Sequence, residues 1–327
     1  DFHLGFAFDD LTARYVRDVP PIEAASGHAS IADNRFVLFL DSGHVDAARG
    51  GRIDLAGSSF VIPDIRVRRG PAQARLKTRG PITAALSLLD APPFRFLTKA
   101  GQPVTLADGQ ARLDGRLDFL VKKQLTPEEV AFEVEGTLED LRSDSLLEGR
   151  VLRARRLTLE ASNDRIEIAG EARVDGVPLR GAWSMPLGPE TGGASRVRGR
   201  VELSPRVAEA FGIGLPPGSL SGAGRARVEI DFARGTPPRF ALSSDLAGLG
   251  LRLPQFGWSL GTAQTGQLDV SGRLGAVPRI DALRLDAAGL QARGSVTLTA
   301  DGTLQRADFS RVEIGDWLRA PVSLLGR

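Results

Sequence analysis

The chain has 327 residues, 42% apolar and 25% charged, which is too apolar for a disordered chain. That length suits about two domains or one elongated all-β unit, and no apolar run reaches the roughly 18–20 residues of a membrane-spanning helix. Forty-two basic residues against 40 acidic ones leave +2, with the two signs interleaved, so no clustered basic face for nucleic acid is visible.

Cysteine is absent, which excludes disulfides, thiolate nucleophiles and Cys-ligated metals, and agrees with an oxidising compartment. Only four basic residues are lysine: Lys77, Lys99, Lys122 and Lys123. Glycine is abundant, 38 residues or about 12% against an average near 7%. A start at Asp1 and a stop at Arg327 are expected of an excerpt from a longer protein.

Residues 1–50 form an opening segment. It holds all three histidines (His3, His28 and His44) and the single tyrosine, with weak alternation apart from Arg35–Leu40. Tyr15, Pro20-Pro21-Ile22 and Gly27 read as an approach loop leading into strands at Ala29–Ile31 and Phe36–Leu40.

Residues 51–327 read as one elongated β domain continuous with that segment. Pro81–Leu89 predicts a one-sided helix (Ile82, Ala85, Leu86, Leu89) ended by Pro92-Pro93. In 111–119, Ala111, Leu113, Gly115, Leu117 and Phe119 share one face and Arg112, Asp114, Arg116 and Asp118 the other, the period of a half-buried strand. Thr126-Pro127-Glu128-Glu129 predicts one capped turn.

The same alternation returns in 131–138, 165–175, 177–185, 196–203, 226–232, 268–274 and 290–298. Asn163-Asp164, Asp175-Gly176, Pro237-Pro238 and Asp301-Gly302 mark turns between strands. A short helix is expected from Ser204-Pro205 to Phe211, stopped by Gly212. The result is an antiparallel meander with two or three short helical insertions.

An apolar-x-Gly-x-apolar repeat runs through these strands at Gly115, Gly136, Gly170, Gly181, Gly199, Gly272 and Gly294. Each glycine has the parity of the apolar face. Mid-strand glycine marks a sharp bend or a close approach. Two readings follow: relief of crowding inside a two-sheet sandwich, or a crease along one long sheet.

Candidate chemistry is sparse. The histidines lack H-x-x-x-H or H-E-x-x-H spacing. Most carboxylates sit beside arginines on strand faces, as Asp114 and Asp118 do beside Arg112 and Arg116, and Asp9-Asp10 reads as a charged loop. Gly222-Ala223-Gly224 and Gly248-Leu249-Gly250 lack the spacing and following helix of a phosphate cradle, and no G-x-S-x-G occurs. Neither an enzyme nor a cofactor or metal is expected. What remains is an aliphatic face that must be covered by a second sheet or by a ligand as featureless as itself, such as an acyl chain.

Several segments carry a family resemblance. They include Tyr15 with Pro20-Pro21-Ile22 and Gly27, Gly51-Arg52-Ile53-Asp54-Leu55, and the strongest, Gly80 through Pro93 (GPITAALSLLDAPP). Asp164-Arg165 leading to Gly170, Asp175-Gly176-Val177-Pro178, Ala210-Phe211-Gly212-Ile213, and Leu253-Pro254 before Gly257-Trp258 extend it over nearly the whole chain. On these the chain resembles the central domain of the YhdP-like branch of the AsmA-like family. The resemblance implies a bridge-like lipid transfer protein: an N-terminal anchor in the inner membrane, a periplasmic body, and a curved β-groove carrying phospholipids between inner and outer membranes. It implies no catalytic residues, and it favours the crease over the sandwich.

The expected fold is therefore all-β, a long, strongly curved antiparallel sheet forming an open hydrophobic groove. The expected lining is Leu113, Leu117, Phe119, Val134, Leu138, Ile166, Ile168, Leu179, Trp183, Val197, Val201, Val228, Ile230, Phe232, Leu268, Val270, Leu274, Val296 and Leu298. Expected partners are phospholipid acyl chains, flanking groove segments of the same protein and the inner membrane, with no nucleic acid. The alternative is a structural β-scaffold of the cell envelope with a closed, dry core.

Overall fold

A computed structural model describes residues 3–15, 18–92, 94–122, 125–147, 149–210, 213, 218–254, 257–275, 277–299 and 303–326. The chain divides into two compact units, Asp1–Ala172 and Arg173–Arg327. The fold is all-β: nineteen strands belong to one antiparallel sheet and three to a small second sheet.

The first unit opens with β1 (His3–Ala13), β2 (Ile22–Ala32) and β3 (Arg35–Asp46), followed by the short β4 (Arg52–Asp54) and β5 (Ser59–Ile62). The twelve-residue β3 outreaches either short strand, so β5 pairs with its Phe36–Phe39 part and β4 with His44–Asp46. Both then pair with β6 (Pro71–Pro81). After the helices α1 (Ile82–Leu89) and α2 (Phe96–Ala100), the meander resumes with β7 (Asp108–Leu120), β8 (Ala131–Leu147), β9 (Arg150–Ser162) and β10 (Arg165–Val174). From β6 to β9 each strand pairs with the next.

Helix α1 forms where Pro81, extended at φ −60° and ψ 143°, ends β6 and pre-sets the turn. It lies against β4, β6 and β7, with Ile82 and Ala84 buried. Leu88 packs on the cluster of Ala25, Leu40, Val45 and Leu55. Its position is tied down by the Arg49 backbone N–H, which donates to Ser87 Oγ (3.1 Å), and by the Thr83 hydroxyl, which donates to the Ala107 carbonyl (3.1 Å). One end of the apolar face is thereby closed.

The second unit contains β11 (Val177–Pro186), β12 (Ser195–Leu203), α3 (Pro205–Ala210), β13 (Leu220–Gly222), β14 (Gly224–Ala233), β15 (Thr236–Ser244), β16 (Leu249–Leu253) and β17 (Trp258–Leu260). It continues with β18 (Gly266–Arg273), β19 (Arg279–Ala287), β20 (Leu290–Leu298), β21 (Leu304–Ile314) and β22 (Leu318–Leu325). The large sheet runs β11-β12-β14-β15-β18-β19-β20-β21-β22. Strands β13, β16 and β17 leave it to form the small sheet. Here that sheet does what α1 does in the first unit. Its Leu249, Trp258 and Leu260 pack with Leu246 onto Ala287, Leu290, Ala292, Val312 and Ile314. The Trp258 indole N–H donates to the Ala288 carbonyl at 3.0 Å.

Aligned irregularities interrupt the later strands. β19 holds an extra residue at Asp281 against β18, and β21 one at Ser310 against β20. Bulges of this kind bend a strand and raise its twist. Beside them lie Gly272 of β18 and Gly294 of β20, so bulged strands alternate with glycine strands. A methyl group on Gly272 would collide with the Arg279 carbonyl oxygen, and one on Gly294 with that of Asp308.

Two expectations need correction. Strand structure fills the opening segment from His3, well beyond the expected strands at Ala29–Ile31 and Phe36–Leu40, and Asp9-Asp10 lies within β1 rather than in a loop; bulges at Asp9-Asp10, Ala24-Ala25 and Asp41 break the period-two pattern, with φ 50° at Asp10 and 49° at Ala24. The approach loop is shorter than expected, since β2 starts at Ile22 and contains Gly27. Helix α2 carries no apolar period long enough to announce it and ends at Gly101 in the left-handed region (φ 70°). Phe211, Gly212, Pro93 and the Asp301-Gly302 turn lie outside the described residues.

Candidate functional site

The apolar face is organised in rows that cross the strands. In the second unit one row runs Gly181, Gly199, Val228, Leu242, Val270, Leu283, Gly294 and Phe309, each directly opposite the next. A second row runs Trp183, Val197, Ile230, Phe240, Gly272, Ile280, Val296 and Ala307. Val201 pairs with Ala226 toward the covered end, and Phe232 with Ser195 toward the other.

Of the nineteen residues expected to line a groove, eighteen are half-buried, and Leu138 alone is buried. Leu138 sits opposite Ala111 and Leu157, at the end of the first unit's apolar face that is well covered. In the first unit Leu113 faces Gly136, Val134 faces Gly115, and Leu117 faces Phe132. Leu179, opposite Val201, extends the second unit's face, as do Leu268 and Leu298; Leu268 also packs on the capped cluster. Ile166, Ile168 and Gly170 lie on β10, and Leu274 follows β18 directly. Burial thus falls along the strands. In β20 Leu290 and Ala292 are buried, while Val296 and Leu298 are not.

Several members of this face escape the sequence pattern. Phe240 and Leu242 follow the Pro237-Pro238 pair, which marks a turn although β15 runs through it. Ile280 and Leu283, like Phe309 and Val312, are three apart because a bulge lies between them, so a period of two cannot link them. In the first unit Phe60 stacks on Phe119 (ring centroids 6.3 Å apart) and meets Phe36 edge-on (6.3 Å), a cluster that only strand pairing reveals.

The opposite face of the first unit is charged and balanced. Arg75 pairs with Asp114 (3.1 Å), Arg112 with Glu139 (3.5 Å) and Arg116 with Asp118 (2.7 Å). Hydrogen bonds from Gln73 and then Arg116 hold the Asp118 carboxyl below its ordinary value.

Glu23, His44 and Asp46 come together on β2 and β3 with ligand-type atoms within 4.8 Å of one another, a grouping that cross-strand pairing makes and local spacing hides. Arg52 Nε already donates to Asp46 Oδ1 at 3.1 Å and holds that carboxyl low, so the group is an ion-pair cluster. Among the described residues no helix is long and apolar enough to cross a membrane. The chain matches no protein-family model, no curated protein and no solved structure.

Proposed function

We propose that the half-buried apolar rows are a lining for hydrocarbon, and that the chain is a segment of a periplasmic bridge-like lipid transport protein shielding phospholipid acyl chains between inner and outer membranes. The carrying observation is the exposure gradient: each unit buries its apolar face at one end and leaves the rest half-open, at Leu113 and Val134 in the first and at Val228, Ile230, Val270 and Val296 in the second. A protein completing its own core would bury these positions, because each aliphatic side chain left in water forgoes about 1.5–3 kcal/mol.

The rows suit acyl chains chemically. They are aliphatic and aromatic, with glycine where strands crowd, and they offer no polar side chain that would select a head group. Burying a lipid tail gains about 0.8 kcal/mol per CH₂, and a row crossing eight strands at about 4.8 Å spacing offers roughly 34 Å of contact. Affinity of this kind comes from area, which lets a chain slide from row to row.

The test is lipid extraction and mass spectrometry of the purified protein, with photo-crosslinking from Val228 or Ile230. Co-purifying phospholipid crosslinked at those positions is the expected result. Lipid-free protein with no crosslink overturns the reading in favour of an envelope scaffold.

A further inference from the structure

The charged face of the second unit carries an arrangement that the interleaved sequence conceals. Arg180 stands opposite Arg200, Arg200 opposite Arg227, Arg284 opposite Arg293, and Arg293 opposite Arg311. Ser243 and Asp269 fill the two positions between these triplets in the same row. Like charges placed directly opposite across strands repel, and here the arrangement recurs four times. Arg200, Arg227, Arg284 and Arg293 have no ion-pair partner among the described residues and are exposed. Nearby acids are engaged elsewhere: Glu229 by Arg198 (3.3 Å), Asp281 by Arg273 (3.1 Å) and Asp308 by Arg306 (2.6 Å).

This row borders an open depression of about 1240 Å³. Its walls carry Arg198, Arg200, Arg227, Arg284 and Arg293 together with Glu229, Asp269, Asp281 and Asp308, while its floor takes the strand positions between them, which are those of the first apolar row, from Gly199 and Val228 to Gly294 and Phe309. None of the next apolar-face residues along the strands, such as Val197, Ile230 or Phe240, borders it. Alternation along a strand therefore places it on the charged face, across the sheet from the side chains of the first apolar row.

We propose that this trough binds an extended acidic polysaccharide, with the arginine rungs gripping its carboxylate or phosphate groups. Six arginine rungs, in two triplets separated by Ser243 and Asp269, cross eight strands and span roughly 34 Å at about 4.8 Å spacing, a track for a linear chain bearing an acid on most of its sugars. Guanidinium forks take carboxylate and phosphate in bidentate fashion. Ser243, Ser271, Ser295 and Ser310 supply hydroxyls between the charges for sugar hydroxyls. Among the described residues lining the trough the one aromatic is Phe309, whose ring lies on the apolar side with the Cβ direction of Gly294, so no ring is offered to stack a nucleobase as single-stranded nucleic acid would use. A bilayer surface is flat and would not enter the trough. The inference is independent of the lipid reading, because it concerns the other face of the sheet.

The experiment measures binding of a fluorescent oligogalacturonate by anisotropy at two salt concentrations. The wild-type protein is compared with R200S/R227S/R284S/R293S and with a charge-matched control in the first unit, R49S/R68S/R155S/R156S. Salt-sensitive binding is expected, weakened at least tenfold in the first variant and less than twofold in the control, with both keeping the wild-type circular dichroism. Equal weakening in the two variants overturns the site, as does an unchanged affinity in the first. Tighter binding of oligothymidylate, or binding only to vesicles containing anionic lipid, replaces the polysaccharide with those partners and overturns the proposal.

Discussion

The two units solve one problem with different parts. Each has an antiparallel meander whose apolar face needs a cover at one end. The first uses an eight-residue helix, α1, seated against β4, β6 and β7; the second uses three short strands around Trp258. Their creases differ too. In the first unit Gly115 and Gly136 sit in unbroken ladders, as do Gly181 and Gly199 in the second, whereas Gly272 and Gly294 are flanked by bulges at Asp281 and Ser310. On their charged faces arginine stands opposite arginine in both units, at Arg75–Arg116 and Arg79–Arg112 in the first and across β11–β14 and β19–β21 in the second. The difference is that Arg75, Arg112 and Arg116 hold carboxylates, while Arg200, Arg227, Arg284 and Arg293 have no ion-pair partner among the described residues. The apolar rows are what the units share, and the covers, creases and charges can vary around them.

The covers give the largest effect with which to break this comparison. Trp258→Ala removes a side chain 6% exposed together with its hydrogen bond, and should cost about 3–5 kcal/mol, against about 2–5 kcal/mol for Ile82→Ala in the first unit. Hydrogen exchange read unit by unit should show each loss confined to its own unit. Loosening of both by either change would mean the covers are not local.

The creases come next. Gly272→Ala pushes a methyl into a backbone carbonyl and should cost about 1–3 kcal/mol in urea unfolding. Gly115→Ala meets only Val134 Cγ2, at 3.2 Å, a side chain that can shift, and should cost clearly less. Equal costs would remove the distinction between bulged and unbroken creases.

The shared rows respond differently. Val270→Glu or Val201→Asp puts a carboxylate among half-buried aliphatic groups, where water still reaches it, so the fold should persist with near-native circular dichroism. Co-purifying lipid should fall severalfold. Retained lipid together with an intact fold would count against a hydrocarbon lining.

The smallest effect has opposite signs in the two units. Arg293→Ser relieves repulsion from Arg284 and Arg311 and should raise the melting temperature by roughly 1–2 °C. Arg66→Ser breaks the pair with Asp64 and should lower it slightly. A calorimetric scan of both variants decides the sign.

Much of the fold was legible along the chain. The alternation in β7, β8, β12, β14 and β20 identified strands and their apolar sides, and Pro81 with the 82–89 period located α1. Bulged strands were the weak point. In β1 and β2 the irregularities at Asp10 and Ala24 hid long strands, and the skip from Ile280 to Leu283 hid half of a row. A bulge shifts parity by one residue, which a period of two cannot follow.

Alternation is a property of neighbours in the chain, so the amino-acid order by itself determined which side chains face together, where glycine interrupts them, and that the apolar side is aliphatic. Three matters belonged to the tertiary structure: how far along each strand the cover reaches, that Phe36, Phe60 and Phe119 cluster, and that Arg200 meets Arg227. Between those two arginines lie α3 and β13, and their register is fixed by hydrogen bonds between distant segments. Charges whose two signs are mixed along the chain can still line up in one sign across strands, because pairing adds a second direction that the linear order does not contain.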